Sequence, residues 1–351
     1  MINDKGILIK NIYYMLAYAF RVLQQKNYEN IAAEEFHDVK ELFAEILARG
    51  ISQQLKQGLH REYITIEEDL PVMRGKLEIN GTIKNLVNRK KVLSCEYDEL
   101  SVDNIYNQIL KTTANILVRD SSVRVESKNA LKGVLLFFDE VSVIDPHSIR
   151  WDMLKYERNS KNYEMLMNIC YFVLASKLQT TEKGDYKMLA FSDEHMEKLY
   201  EKFVLEYYKR HHKYLTEVKP AEVKWDLAED TDEKLIQFLP SMKTDIFLRL
   251  KEKILIIDTK YYGKTMQENF DKKSYHSANM YQIFTYVKNQ DTTASKNVAG
   301  VLLYAKTQEA VTPNADYVIG GNRISVKTLD LNKDFSLIAK ELDELAEGYF
   351  M

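Results

Sequence analysis

One short segment constrains the fold of this chain more than any other. Residues Ile254–Ile257 form a continuous apolar run, which is typical of a strand buried on both faces and so of a sheet covered by helices. The run ends abruptly at Asp258 and Lys260, and the aromatic Tyr261 follows. A charged pair in this position more often marks a site than a solvated strand end.

A second extended run, residues 244–250, precedes this strand. Between the two lies Lys251-Glu252-Lys253, a charged stretch suited to an exposed turn. If the turn centres between Lys251 and Glu252, Asp245 lies directly across from Asp258, with Cβ atoms about 4.5–5.5 Å apart. Alternation along the strand then puts Lys260 on the same face as Asp258. The hairpin is predicted to hold two carboxylates and one ammonium group together.

The chemistry of this trio favours a divalent metal. Two carboxylates this close repel each other unless a cation compensates, and oxygen ligands select Mg²⁺ or Mn²⁺. Lys260 would position a water or stabilise developing charge, and the Thr259 carbonyl is a candidate further ligand. The alternative is that Asp245 and Asp258 are solvent-facing edge residues whose charge Lys260 balances. The residues alone leave both interpretations open.

Three further polar residues are candidates for supporting roles. Gln282 and Tyr286 lie one turn apart on the next predicted helix, so both project to the same side and could order water or contact a substrate backbone. Glu201 flanks the apolar stripe of an earlier helix and could reach a metal. Half-buried polar positions on amphipathic helices, or surface solvation for Glu201, are the alternatives.

The periodicity predicts an α/β chain, α+β overall, with two domains. Residues 1–188 are predicted to form a mixed helical and β domain, and residues 189–351 a second α/β domain. Helices are expected at 9–25, 35–59, 104–118, 163–178, 194–212, 277–287 and 335–349. Strands are expected at 63–66, 76–79, 222–227, 235–239, 244–250, 253–262, 300–305 and 323–329. The acidic segment Glu96–Glu99 is expected to precede and cap the helix that begins at Asn104.

Bulk properties exclude some classes of protein. The net charge of −3 over 351 residues means that contact with nucleic acid must come from local patches or from a partner. Cys95 and Cys170 have no second ligand at metal spacing, which indicates reduced structural thiols in the cytoplasm. Polar residues interrupt the apolar stretch Ile7–Leu23, so we expect a core helix there and no targeting or membrane segment.

The chain also resembles a known family. Asp245 with Asp258-Thr259-Lys260 looks like the PD-(D/E)XK nuclease motif, and Gln282 with Tyr286 like the QxxxY element of part of that superfamily. Thr259 stands where Ala or another small residue is also common, and Pro240 lies five residues before Asp245. Longer stretches, from about residue 8 to the C-terminus, resemble the McrC family: Asn11–Ala19, Arg74–Glu78, Leu199–Phe203, Lys253–Asp258 and Asn279–Gln282.

The resemblance implies a PD-(D/E)XK domain with a mixed central sheet flanked by helices, and a Mg²⁺-dependent DNA endonuclease subunit with Asp245 and Asp258 as metal ligands. It implies activity only with an McrB-type AAA+ GTPase hexamer, which recognises modified cytosine in double-stranded DNA and whose GTP hydrolysis this subunit stimulates. The sequence has no GxxxxGK[ST] motif, which agrees with a chain that binds no nucleotide itself. Whether one or two metals bind stays open.

A second class of function is a non-catalytic assembly factor that activates a GTPase ring and has kept a decayed nuclease fold. The intact Asp245, Asp258 and Lys260 favour the nuclease. The first 188 residues show no catalytic constellation, and they are predicted to dock on the GTPase ring. The contacts are expected at the loop around Arg74 and at the basic run that begins at Arg89, where an arginine could stabilise phosphoryl charge directly or order the partner's own site.

Overall fold

The computed structural model describes residues 9–20, 38–156, 161–183, 193–261, 266–269, 272–306 and 312–351. The chain divides into two compact units. We call Met1–Val39 together with Gly184–Met351 the terminal unit, and Lys40–Lys183 the inserted unit. The chain thus begins in the terminal unit, forms the inserted unit, and then returns to the terminal unit.

Both units contain helices and strands. In chain order, those that the structure describes are α1 (Ile9–Ala19), α2 (Val39–Leu55), β1 (Glu62–Leu70), β2 (Lys76–Leu77), α3 (Ile79–Val87), β3 (Leu93–Ser101), α4 (Ile105–Arg119), α5 (Val125–Leu135), α6 (Lys161–Lys183), α7 (Asp193–His211), β4 (Glu217–Val223), α8 (Glu233–Ile236), β5 (Met242–Leu250), β6 (Lys253–Lys260), β7 (Met266–Asn269), β8 (Lys272–Tyr275), α9 (Ser277–Gln290), β9 (Val298–Ala305), β10 (Ala315–Ile319), β11 (Asn322–Leu329) and α10 (Phe335–Phe350).

The inserted unit combines a small antiparallel sheet with helices. The sheet has three strands in the order β1-β3-β2, and β1 pairs with β3 along its whole length, from Glu62 opposite Ser101 to Leu70 opposite Leu93. Helix α3 packs against β3, and α4 packs against α5 and α6. Asn104 caps α4, because its side chain accepts a hydrogen bond from the Asn107 amide.

Helix α3 has an unusual orientation. Its polar side faces its own sheet: the Ser94 amide donates to Thr82 Oγ1 at 3.0 Å, and Asn85 Nδ2 donates to Asp69 Oδ1 at 2.7 Å. Its apolar side, which repeats at helical spacing, is exposed and consists of Ile79, Ile83, Leu86 and Val87. We call these four side chains the α3 stripe. An amphipathic helix normally buries this side, so the stripe is a distinctive surface of the inserted unit.

The terminal unit is built on a six-stranded sheet with the order β10-β11-β9-β6-β5-β4. The three central strands β6, β9 and β11 run parallel, whereas β4, β5 and β10 join by antiparallel pairing. This is a mixed sheet with its most apolar strands in the middle, as the run Ile254–Ile257 predicts. The two-stranded sheet of β7 and β8 is separate.

Helices cover both faces of the large sheet. On one face, Ile256 and Leu302 form a buried cluster with Ile283 and Val287 of α9. On the other face, Leu255 and Val301 line a cavity with residues of α10. Gly300 in β9 lets α9 come close, because a Cβ there would lie 2.7 Å from Ile283 Cγ1. Among the described residues, no helix is long and apolar enough to cross a membrane.

Helix α1 belongs to the terminal unit although it lies far from the rest of that unit in sequence. Tyr14 stacks on Phe335 of α10 with ring centroids 4.1 Å apart, and Tyr18 contacts Phe203 of α7 at 5.7 Å. Asn11 Nδ2 also donates to the Leu331 carbonyl at 2.7 Å. The predicted division at residue 188 placed this segment with the N-terminal domain. The aromatic side of α1 instead packs on α7 and α10, so the units divide the chain differently.

The mixed α/β fold class is confirmed, and most of the predicted helices and strands are present. Residues 235–239 were predicted as a strand, which is wrong: Asp232 caps the short helix α8 there. The predicted strand 76–79 ends at Leu77 because the Glu78 side chain caps α3. The segment Glu96–Glu99 precedes α4, as predicted, but it lies within β3 and does not cap the helix, which Asn104 caps. Part of the predicted helix 9–25, beyond Phe20, lies outside the described residues.

Candidate active site

The predicted hairpin is present as β5 and β6. Leu250 pairs with Lys253 across the two-residue turn Lys251-Glu252, and the register continues to Ile246 opposite Ile257. Lys251 adopts a positive φ of 54°, as the first residue of a tight hairpin turn often does. The paired positions end there, so the predicted pair of Asp245 and Asp258 lies one step beyond the observed ladder. The turn position and the register follow the sequence prediction.

Asp258 is the most deeply buried charged residue of the hairpin, with 1% of its surface exposed. Lys260 Nζ lies 2.7 Å from Asp258 Oδ2, so the lysine and this acid share one side of β6. Asp258 Oδ1 is buried and receives no hydrogen bond from any residue that the structure describes. Burial and the negative charge of Asp245 raise the pKa of Asp258 to about 7, although the ion pair with Lys260 opposes this shift.

Asp245 is half-buried and is held by Thr259, the residue between the acid and the lysine of β6. The Thr259 amide donates to Asp245 Oδ2 at 2.7 Å, and the Thr259 hydroxyl donates to the same oxygen at 2.9 Å. From the sequence, only the carbonyl of Thr259 was a candidate metal ligand. The contacts of its amide and hydroxyl give Thr259 a second way to act at this site.

Two glutamates of α7 add negative charge to the site. Burial raises the pKa of Glu201 to about 7, and the charges of Asp245, Glu197 and Asp258 raise it further, against the effect of Lys260. Glu197 also raises the pKa of Asp258. Glu201 was predicted from the sequence, whereas Glu197 was missed. Their spacing of four residues, which puts both on one side of a helix, is the signal that could have found it.

Gln282 and Tyr286 of α9 face the same side of the sheet as Asp258. Gln282 Nε2 donates to the Tyr286 hydroxyl at 2.9 Å, and the Tyr286 ring packs in the buried cluster that contains Ile256. Burial raises the pKa of Tyr286, and the charges of Asp258 and Asp245 contribute in the same direction. The two predicted supporting residues are therefore hydrogen-bonded to each other and lie within electrostatic reach of the acids.

The donor set fits a hard divalent cation. Within the described ranges, no group of three or more His, Cys, Asp or Glu side chains is arranged to hold a metal, so Asp245 and Asp258 would be the protein's own contribution. Mg²⁺ is commonly held by one or two carboxylates, with water and substrate phosphates completing its shell. The observation that favours such an ion is the buried Oδ1 of Asp258, which receives no hydrogen bond from the part of the chain that the structure describes.

Arg74 and Arg89 lie in the inserted unit and are not part of this constellation. The Arg74 guanidinium lies 3.9 Å above the ring of Tyr97, and its Nη2 lies 3.9 Å from Glu99 Oε1. Arg89 is exposed directly after α3 and has a positive φ of 58°. Their role as partner contacts stays a prediction.

The fold and the site together define a class: a mixed α/β protein in which two adjacent strands of the sheet carry two acids and a lysine. The family model of the McrBC 5-methylcytosine restriction system component matches residues 3–305, which is most of the chain, and the chain belongs to this family. It is also similar to the Type IV methyl-directed restriction enzyme EcoKMcrBC of Escherichia coli strain K12, with 28% identity over 348 residues that cover 98% of each chain.

Two solved structures from Thermococcus gammatolerans are similar to parts of this chain. One is a half-complex of a tetradecameric assembly of McrB AAA+ hexamers with bound McrC; it has 17% identity and a TM-score of 0.49 over 97% of this chain and 75% of that chain. The other is a McrBC complex, with 19% identity and a TM-score of 0.40 over 59% of each chain.

Proposed function

We propose that this chain is the endonuclease subunit of a GTP-dependent restriction complex and that it hydrolyses phosphodiester bonds in DNA containing modified cytosine. The buried Oδ1 of Asp258, without a hydrogen bond from the described residues and beside a second carboxylate, is the observation that carries the proposal. Family membership supports the biological setting. A structural role alone would not require an acid so buried that its pKa rises to about 7.

Each residue of the site has a distinct part in the proposed reaction. Asp245 and Asp258 would hold a Mg²⁺ ion, for which Mn²⁺ could substitute, and such an ion supplies Lewis-acid stabilisation of a phosphoryl group and activation of water. Lys260, with only 10% of its side chain exposed, presents a compact cation to the scissile phosphate. Glu201 adds negative charge that favours cation binding, and the Gln282–Tyr286 pair is placed to order water or the DNA backbone.

The chain would act with an AAA+ GTPase hexamer of the McrB type that recognises the modified base in double-stranded DNA. Two features support a partner. The sequence contains no phosphate-binding loop of the GxxxxGK[ST] kind, so a nucleotide motor would be a separate protein. The net charge of −3 also gives the chain little general attraction to DNA.

The inserted unit is the proposed docking region for this partner. Helix α3 exposes the four apolar side chains of the α3 stripe, and Arg89-Lys90-Lys91 follows directly after it as an exposed basic run. Exposed apolar patches of this kind are characteristic of protein interfaces. The surface would suit a partner with apolar residues and an acidic rim, and Arg74 and Arg89 are its candidate contacts to the GTPase.

The endonuclease proposal is tested by mixing the purified chain with its GTPase partner, GTP, Mg²⁺ and DNA that carries methylated cytosines at varied spacing. Double-strand cleavage that requires all components is expected. Absence of cleavage at every spacing, combined with normal stimulation of GTP hydrolysis, would instead favour the non-catalytic activator.

The docking proposal is tested separately with Arg74→Ala, Arg89→Ala and Ile83→Asp. Each variant is expected to weaken the stimulation of GTP hydrolysis, and Ile83→Asp should also weaken binding to the ring. Val125→Asp is the matched control, because Val125 is an equally exposed apolar residue on α5. If all three variants stimulate the partner as the unaltered protein does, the inserted unit does not dock through this surface.

A further inference from the structure

Thr259 makes an unusual contact for a residue in the middle of a buried sheet. It is 1% exposed, and its strand is paired on both sides, with β5 and with β9. The paired positions of β5 and β6 end at Ile246 and Ile257. Beyond that pair, the Thr259 amide donates to the side chain of Asp245, and the Thr259 hydroxyl donates to the same oxygen. One residue therefore contributes two donors to one carboxylate oxygen.

This contact fixes the orientation of Asp245. A free aspartate on a half-buried strand can rotate its carboxylate, and ordering it on ligand binding costs free energy. Two donors at 2.7 and 2.9 Å on Oδ2 hold that oxygen against β6, and they leave Oδ1 as the oxygen that Thr259 does not engage. Because Thr259 is buried and pairs with Leu303 of β9, it is a rigid anchor for this arrangement.

We propose that Thr259 is a positioning residue of the site: its amide and hydroxyl fix Asp245 Oδ2, so that Asp245 Oδ1 and Asp258 are preorganised to bind a divalent cation. This inference rests on the proposed endonuclease function, and it adds the residue that orients the first acid. Groups that orient metal ligands by hydrogen bonds typically contribute 10–100-fold to metal affinity. Of the two donors, substitution can remove only the hydroxyl, since the amide belongs to the backbone.

Thr244 offers a matched control on the adjacent strand. It lies next to Asp245, it is 2% exposed, and its hydroxyl bonds to the backbone of Ala221 in β4, accepting from the amide and donating to the carbonyl, each at 3.1 Å. Thr244→Val and Thr259→Val each remove one buried hydroxyl near the site. They therefore cost stability in similar ways, but only Thr259→Val loosens the Asp245 carboxylate.

The experiment measures Mn²⁺ binding to the full-length chain by calorimetry, alongside thermal unfolding and cleavage with the partner as a function of Mg²⁺ concentration. Thr259→Val is expected to weaken Mn²⁺ binding on the order of 10-fold or more and to raise the Mg²⁺ concentration needed for cleavage. Thr259→Ser, which keeps the hydroxyl, should bind like the unaltered protein, and so should Thr244→Val. If Thr259→Val does not fold, Thr259→Ala replaces it in the same comparison.

Three results would overturn the inference. Normal Mn²⁺ affinity in a folded Thr259→Val variant would overturn it and leave the endonuclease proposal standing. An equal loss in Thr259→Ser, or in Thr244→Val, would show a packing effect rather than orientation of Asp245. If the unaltered protein bound no Mn²⁺, both the inference and the proposed metal site would fall.

Discussion

At the scale of single residues, the two acids of the hairpin differ in what surrounds them. Asp258 is almost fully buried and has Lys260 beside one oxygen, whereas Asp245 is half-buried and accepts two hydrogen bonds from Thr259. The pKa of Asp258 therefore rises to about 7. The two carboxylates are therefore expected to respond differently to substitution of their neighbours.

Removing the amine of Lys260 should separate cleavage from GTPase stimulation. Lys260→Ala keeps both acids, and because loss of one electrostatic stabiliser costs on the order of 10²–10³ in rate, DNA cleavage should become barely detectable. Stimulation of GTP hydrolysis, which we assign to the inserted unit, should stay near its normal level. Both activities are measured in one reconstituted mixture.

Lys253→Ala is the matched control for this prediction, because Lys253 is an exposed lysine at the other end of the same strand. Normal cleavage by Lys260→Ala would remove Lys260 from the mechanism. Loss of both activities in a folded Lys260→Ala variant would contradict the assignment of cleavage to the terminal unit and of GTPase stimulation to the inserted unit.

The raised pKa of Asp258 predicts how stability changes with pH when divalent ions are absent. The unfolded acid ionises near 3.8 and the folded one near 7, so between these values the folded state holds a proton that the unfolded state has lost. Below about pH 4, the contribution of Asp258 to the free energy of unfolding has its full value. This contribution decreases as the pH rises to about 7, by up to about 1.4 kcal/mol per pH unit. Above pH 7 it does not fall further.

Asp258→Asn removes this titration. In EDTA, the melting temperature of the variant relative to the unaltered protein should rise between pH 5 and pH 8. The comparison is made by thermal unfolding at both values. A difference that stays constant with pH, or that shrinks toward pH 8, would mean that Asp258 is not protonated in the folded protein at low pH.

At the scale of elements, the position of α9 depends on one glycine. A Cβ at Gly300 would lie 2.7 Å from Ile283 Cγ1 and 2.8 Å from Val287 Cγ2, so Gly300→Ala would push α9 away from β9. Overpacking of this kind typically costs about 1–3 kcal/mol. Since α9 carries Gln282 and Tyr286, cleavage should also fall.

Chemical denaturation of Gly300→Ala and of Gly133→Ala tests this prediction. Gly133 lies in α5 with nothing within 4 Å of an added Cβ, so Ala there should stabilise the helix by up to about 1 kcal/mol. If Gly300→Ala were as stable as the unaltered protein, β9 and α9 would have room that the structure does not show.

The sequence predicts the hairpin well because few registers satisfy its pattern. A two-residue turn and strict alternation leave one pairing that brings Asp245 to Asp258. It predicts α3 and β3 poorly, since α3 turns its apolar side outward and β3 contains four consecutive polar or aromatic residues from Glu96 to Glu99. The contact between Thr259 and Asp245 could not be predicted either, because it depends on side-chain rotation and not on spacing.

At the scale of the whole chain, the terminal unit needs both ends of the described sequence. Residues 184–351 alone would expose the surfaces of α7 and α10 that Tyr14 and Tyr18 cover. This fragment should therefore aggregate or melt at a lower temperature than a protein in which a flexible linker replaces residues 40–183. Size-exclusion chromatography and thermal unfolding compare the two. A monomeric fragment with an unchanged melting temperature would mean that α1 is dispensable.

The packing of α1 also has a consequence for biosynthesis. Asn11 reaches its acceptor, the Leu331 carbonyl, across 320 positions of the chain. A ribosome that adds about 5–20 residues per second therefore exposes the apolar side of α1 on the order of tens of seconds before its binding surface emerges. The whole inserted unit is translated during that interval and can fold first. The nascent N-terminal helix is thus the segment that a chaperone would have to protect until translation nears completion.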